Sequence, residues 1–189
     1  MKLIIAITGA SGVEIGFKLL KLLPKDVEKH LIVSNSAKKT LNLENQKHIK
    51  DLIEDDVILY NDNDIGASLA SGSFGADKMI IVPCSMNTLA KCASGISDSL
   101  ITRAFYVMLK EKRDIILTPR EIPYPTISLE QMTKLSSYGV IIAPPVLGYY
   151  SGQKTLGDME NFLIGKWLDL LKIPNDLYKR WGHDEKSNI

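Results

Sequence analysis

The sequence predicts an α/β chain: one parallel β-sheet with helices on both faces. Three observations carry that prediction. Short apolar runs alternate with longer segments of helical period, the pattern of repeated strand–helix–strand units. The first run, residues 2–8, is apolar on both faces, as a buried parallel strand should be. Glycine and polar residues concentrate where one run after another ends, which is the binding edge of such a sheet. Composition agrees, since 189 residues, 45% hydrophobic and 24% charged, suffice for one hydrophobic core.

Residues 2–8 (KLIIAIT) read as the first strand. Residues 9–12 (GASG) then turn into a helical pattern through Ile15, Phe17, Leu19, Leu20, Leu22 and Leu23, which Pro24 stops. Residues 29–34 (KHLIVS) form the second strand, followed by a helix over 36–43 and a short third strand over 56–60. A polar loop at 61–64 and a flexible point at Ser71-Gly72-Ser73 precede a strand over 78–83 (KMIIVP). Helices are expected over 88–93 and 99–111, a strand over 113–118 (RDIILT), a helix over 128–138 and a strand over 139–143 (GVIIA). A long amphipathic helix over 155–171 and a polar tail from about 173, containing Trp181, complete the chain. No repeat, low-complexity stretch or linker divides it, so a single domain over 1–189 is expected.

Several function classes fall away. A net charge of +1 with both signs interspersed argues against a general nucleic-acid or anionic-membrane binder, so any anion must be gripped by a local site. No apolar run approaches the ~20 residues of a membrane span. The N-terminal run is too short for a signal-peptide core. Cys84 and Cys92 have no zinc spacing and make no disulfide framework, so a reduced, cytoplasmic setting is expected.

The places to search are the residues after each strand: 9–12, 34–36, 83–88, 119–121 and 144–150. At Gly9-Ala10-Ser11-Gly12, glycines admit a close ligand and a helix start favours an anion, though a tight turn without a ligand fits equally. The opening Thr8-Gly9 and the Tyr106/Lys110 pair mimic a short-chain dehydrogenase. The glycines at 9, 12 and 16 have the wrong spacing for that family and for a dinucleotide fingerprint, and no acidic residue follows the second strand. Pro83-Cys84-Ser85-Met86-Asn87-Thr88 offers a thiol, two hydroxyls and an amide beside free backbone donors. A helix cap needs only one of these, and the surplus favours a ligand. Arg120-Glu121 sits at the binding edge, although such pairs are more often solvated. Arg103 and Lys110 lie seven apart on one helix face, able to aim two cations at one phosphate or simply to form an exposed basic stripe.

Taken together and in order, Thr8-Gly-Ala-Ser-Gly12, Ala70-Ser-Gly-Ser73, Pro83-Cys-Ser, Thr88-Leu89, Arg103, Leu109-Lys-Glu, Arg113, Pro119-Arg-Glu, Pro123, Pro144-Pro145, Gly148, Tyr150 and Arg180-Trp-Gly182 resemble the UbiX-type flavin prenyltransferases over nearly the whole chain. The resemblance implies a flavodoxin-like or Rossmann-like three-layer sandwich that binds reduced FMN and dimethylallyl phosphate. It implies metal-independent transfer of the dimethylallyl group to N5 and C6 of the flavin. The prenylated FMN serves UbiD-type decarboxylases, and members form homo-oligomers, typically dodecamers, with sites at subunit interfaces. By position, Gly9, Ala10 and Ser11 match the first flavin-binding turn, Ser34 the second-strand serine, and Ser85, Met86, Asn87, Thr88 and Arg120 the rest of the FMN site. Glu44 falls near the reacting flavin and Glu121 near the allyl phosphate, giving Ser11, Glu44 and Glu121 as the catalytic set. Arg103, Lys110 and Tyr150 match phosphate-side residues. Lys166 stands where many members have arginine, which keeps the charge but loses the bidentate fork. The tryptophan some members carry before Ser71 is replaced here, with Ile65 or its neighbours in its place.

Such chemistry needs cations where charge builds on the departing phosphate oxygen. It also needs a base for ring closure, for which Glu121, Glu44 and the released phosphate all qualify. Two rivals remain. A cysteine-type FMN decarboxylase on the same scaffold would place a histidine in residues 61–70, where this chain has none. A non-catalytic FMN carrier would not need Arg103, Lys110, Glu121, Tyr150 and Lys166 together.

Overall fold

The computed structural model describes residues 1–182. The apolar runs form β1 (Lys2–Ile7), β2 (Glu28–Val33), β3 (Val57–Asn61), β4 (Lys78–Cys84), β5 (Asp114–Pro119) and β6 (Ile141–Ile142). Between them lie α1 (Val13–Leu22), α2 (Asn35–Asn45), α3 (Met86–Ser94), α4 (Leu100–Lys110) and α5 (Thr126–Ser137), and α6 (Leu156–Leu170) follows. All neighbouring strands pair in parallel. Their order, β3-β2-β1-β4-β5-β6, is the doubly wound Rossmann order. It reverses direction between β1 and β4, so the crevice beyond the carboxyl ends of those two strands is the natural ligand position.

Alternate residues of the buried strands serve opposite faces. Ile4, Ala6, Met79, Ile81, Ile115 and Leu117 pack with Leu89, Ala104, Phe105, Met108 and Met132 of α3, α4 and α5. On the other face, a Cβ at Gly16 of α1 would collide with the Val82 carbonyl and come within 2.9 Å of Ile7 Cδ1. The glycine therefore lets α1 lie directly on the sheet. Burying Phe17 and Leu20 on that helix stabilises the packing by about 1.5–3 kcal/mol each.

Two expectations need correction. The last strand is two residues long instead of the expected 139–143. Gly139 adopts φ +89°, the Val140 amide returns to the Leu135 carbonyl at 3.2 Å, and Pro144 has no N–H to offer. The Ser71-Gly72-Ser73 point is not a free hinge. Ser71 caps the end of one short 3-10 turn, Ser68–Ala70, and Gly72 and Ser73 lie in the next, Gly72–Phe74. Arg113 donates to the Gly72 carbonyl at 2.9 Å, and the Phe74 ring meets His30 edge-on at 4.9 Å.

The chain divides into two compact units, Met1–Pro144 and a second that begins at Pro145. In the second unit, Thr155 and Asp158 form a capping box at the start of α6. The tail expected to be merely polar returns onto α6, and its Asn175, Tyr178 and Arg180 all donate to Asp169. His183 and the rest of the tail lie outside the described residues.

Candidate functional site

The crevice between β1 and β4 is closed at its base by one threonine. Thr8 is 1% exposed; its hydroxyl donates to the Pro83 carbonyl at 2.8 Å and accepts from the Ser85 amide at 2.7 Å. The turn after β1 and the turn after β4 are thereby held in fixed register. A hydroxyl ending an otherwise apolar strand was the available sequence signal.

Three helices start around this edge, each with a serine N-cap. Ser34 accepts from the Ala37 amide at 3.0 Å, Ser85 from the Thr88 amide at 3.3 Å, and Ser99 from the Thr102 amide at 3.4 Å. The expected ligand serines Ser34 and Ser85 thus also cap α2 and α3. The first-turn amides of Met86 and Asn87 have no intrahelical acceptor. The three starts share a cavity of about 190 Å³ lined by Ser34, Ser36, Asp62, Asn87, Thr88 and Lys91, among others. Polar hydroxyls beside converging helix N-termini suit an anion. Sequence reasoning placed Ser36 in the 34–36 stretch to be searched but missed Asp62 and Lys91. Asp62 belongs to the loop after β3, and its carboxylate accepts from the Ile101 amide at 3.0 Å, fixing the start of α4. Lys91 pairs with Asp98 at 2.6 Å.

At the first turn, Gly9 lets the backbone pass against α2, because a Cβ there would lie 2.6 Å from Ser36 Cβ. Gly12 has φ +85° at the N-cap of α1, a conformation suited to glycine. Ala10 is buried, and Ser11 is exposed at the mouth of the turn. Glu44 projects from α2, and its carboxylate accepts from the Gly12 amide at 3.0 Å. The structure thus brings Glu44 to the turn that carries Ser11, although thirty-two residues of sequence separate it from Gly12. Lys47 and Asn45 hold Glu14 beside it.

Beyond β5, the Arg120 amide donates to the Cys84 carbonyl at 3.2 Å, which sets Arg120 beside the end of β4. Its Nε is buried and has no hydrogen-bond partner among the described residues. A buried guanidinium donor left unpaired is costly, and an acceptor on a water or a bound group would relieve it. Glu121 is exposed and accepts from the Ile122 amide at 3.1 Å. Tyr124 donates to the Pro119 carbonyl at 3.0 Å; burial, with the Glu121 carboxylate adding to it, raises its phenol above the ordinary value. Cys84 is fully buried, and burial pushes its thiol well up. Burial likewise pushes Cys92 up to about 12, so neither thiol is a nucleophile at neutral pH.

Arg103 and Lys110 share an exposed face of α4, as their spacing requires. Arg103 has no ion-pair partner among the described residues, whereas Lys110 pairs with Glu111 against Gly72. In the second unit, the Tyr150 ring stands edge-on to Phe162 at 5.9 Å and to Trp181 at 5.5 Å. The Lys166 ammonium lies 5.9 Å from the Tyr178 ring centroid and has no carboxylate in ion-pair range among the described residues. Among the described residues there is no group of three or more His, Cys, Asp or Glu placed to hold a metal, and no helix long and apolar enough to cross a membrane.

The Flavoprotein family model matches residues 1–165. A flavin prenyltransferase UbiX from Helicobacter pylori is 45% identical, with 96% of this chain and 99% of the relative covered. Among solved structures, a dodecameric FMN-dependent UbiX-like decarboxylase from Escherichia coli superposes with a TM-score of 0.90 at 39% identity, covering 96% of this chain and 99% of that one. AnUbiX in complex with FMN and dimethylallyl pyrophosphate superposes with a TM-score of 0.89 at 38% identity, covering 95% and 96%.

Proposed function

The chain belongs to the Flavoprotein family and, within it, to the UbiX flavin prenyltransferases, and from that premise we propose that it transfers a dimethylallyl group from dimethylallyl phosphate to N5 and C6 of reduced FMN. The observation that carries the reading is the crevice at the β1/β4 reversal, where capped helix starts border one polar cavity and the buried Arg120 Nε lacks an acceptor. Those residues fit FMN. Gly9, Ala10 and Ser11 let it approach the first turn, Ser34 and Ser85 to Thr88 hold its polar groups, and Arg120 supplies the charged donor. Bound in reduced form, FMN supplies the electron-rich atoms that accept the allyl unit.

Arg103 and Lys110 are the first unit's groups for stabilising the charge that develops on a departing phosphate oxygen, and Lys166 and the Tyr150 hydroxyl are the second unit's. Glu121 takes the proton released on ring closure, with Glu44 and Ser11 orienting the reacting edge. Exposed Arg103 and Lys110 suit a homo-oligomer in which neighbouring copies complete each site, a dodecamer in the pattern of the Escherichia coli protein. The product serves a UbiD-type decarboxylase in a reduced, cytoplasmic setting that keeps both cysteines as thiols.

The test is anaerobic incubation with reduced FMN and dimethylallyl phosphate or pyrophosphate, followed by mass measurement of the flavin. Gain of one five-carbon unit is expected. A flavin unchanged with both donors overturns the reading. Glu121→Gln is expected to bind FMN normally and to form little ring-closed product.

A further inference from the structure

The Arg180-Trp181-Gly182 motif has no part in the mechanism above, yet its arginine donates to Asp169, Asn175 and Tyr178. The Arg180 guanidinium grips the Asp169 carboxylate with both forks, at 2.8 and 2.9 Å, and also donates to the Asn175 carbonyl at 3.1 Å. Asp169 accepts further bonds from the Tyr178 hydroxyl at 2.6 Å and the Asn175 amide at 2.9 Å. Burial works to raise the Asp169 carboxyl, and these donors outweigh it, holding the group below the usual carboxylate range. The tail is seated closely. A Cβ on Gly165 would lie 2.5 Å from the Tyr178 ring and 3.0 Å from Asn175 Oδ1.

The seat has a consequence for two residues of the proposed reaction. Tyr178 lies beneath the Lys166 ammonium and meets Phe162 edge-on at 5.1 Å. Phe162 in turn meets Tyr150, and Tyr150 meets Trp181, in successive edge-to-face contacts. On the other side, a Cβ on Gly148 would lie 2.7 Å from Phe162 and 2.9 Å from Tyr150, so the turn carrying Tyr150 rests on that same ring. One carboxylate thus organises a relay of rings that ends at Lys166 in one direction and at Tyr150 in the other. Arg180 is neutralised by Asp169, whereas Lys166 keeps an unpaired charge among the described residues.

We propose that Asp169, with Arg180 and Tyr178, is a positioning clamp that sets Lys166 and Tyr150 for the phosphate end of the allylic substrate. The clamp touches no substrate itself and acts through the aromatic relay. The proposal rests on the prenyltransferase reading for the identity of the substrate, and its test separates the two.

Holoenzyme carrying Asp169→Asn is compared with wild type in steady-state prenylation and in equilibrium binding of inorganic phosphate. FMN retention is expected to be unchanged. KM for the allylic phosphate is expected to rise about tenfold with kcat altered less than about twofold, and phosphate affinity to fall by a similar factor. Tyr178→Phe keeps the ring beneath Lys166, so its KM should rise by less than about threefold, and by more in Tyr178→Leu. If Asp169→Asn does not assemble, Arg180→Lys, which surrenders the bidentate grip, must raise KM in the same direction. Variants that lose only thermal stability, with KM and phosphate affinity at wild-type values, overturn the clamp. A wild-type protein that binds phosphate in a clamp-dependent way but never alkylates FMN overturns the reaction and leaves the clamp standing.

Discussion

Replacing Thr8 with valine keeps the side-chain shape and removes one hydroxyl. That hydroxyl makes two bonds, to the Pro83 carbonyl at 2.8 Å and from the Ser85 amide at 2.7 Å. The Pro83 carbonyl also accepts from the Thr8 amide at 3.2 Å, so it keeps a partner. Among the described residues the Ser85 amide has no other acceptor, so it is left orphaned beside a buried residue. The lost donation costs about 1 kcal/mol and the orphaned amide roughly 1–3 kcal/mol, for a total of about 2–4 kcal/mol. For a chain of this size that lowers the melting midpoint by roughly 5–15 °C at fixed protomer concentration. The assay is thermal melting of the FMN-free protein together with fluorimetric titration of FMN. Melting should fall by that amount, and FMN should bind more weakly because the turn after β4 is no longer held in register with the first. Thr8→Ser keeps both bonds and should lose no more than about 1 kcal/mol of packing. A Thr8→Val protein within about 0.5 kcal/mol of wild type, with FMN affinity unchanged, refutes the view that this hydroxyl fixes the crevice.

Gly16→Ala gains helix propensity of about 1 kcal/mol. It also drives a methyl against the Val82 carbonyl, which a buried strand cannot move, so net destabilisation of about 1–3 kcal/mol is expected in urea unfolding. Lys166→Arg restores a bidentate fork and should lower KM for the allylic phosphate a few-fold, read from initial rates. His30 is buried on β2 against Tyr60, Phe74 and Glu28, with Lys2 nearby. Burial holds its imidazole below the ordinary 6.5, the Glu28 carboxylate pulls the other way, and Lys2 reinforces the drop. The unfolded chain therefore binds the proton more readily. The stability that His30 contributes is complete above about pH 6.5 and is lost as pH falls below it. Melting curves from pH 7.5 to 5.5 should show that slope in wild type and a flatter one in His30→Gln.

The α/β class, the strand and helix sequence and the binding edge were all readable in the chain, because strand burial and helix period leave local signatures. Ser85 was legible as a cap from its place between an apolar run and a helix. What periodicity could not carry was partnership between distant segments. The cavity's Asp62 and Lys91 come from a loop and a helix that look like ordinary surface in one dimension. The Ser71-Gly72-Ser73 stretch has the composition of a hinge, yet Arg113 and Phe74 pin it. The tail reads as polar because its donors are polar, and nothing local says that they share one carboxylate.

By itself the sequence determined where the candidate site residues lie: glycines and serines after strands one and four, and the cations and carboxylates proposed for the phosphate end. Only the tertiary structure decided which of them meet. Strand order placed the first and fourth turns side by side, Glu44 reached the Gly12 amide across thirty-two residues, and Asp169 gathered three tail donors. The physical reason is that composition and period act within a few residues. Strand order and buried hydrogen-bond partners are settled by the free energy of the whole packed chain.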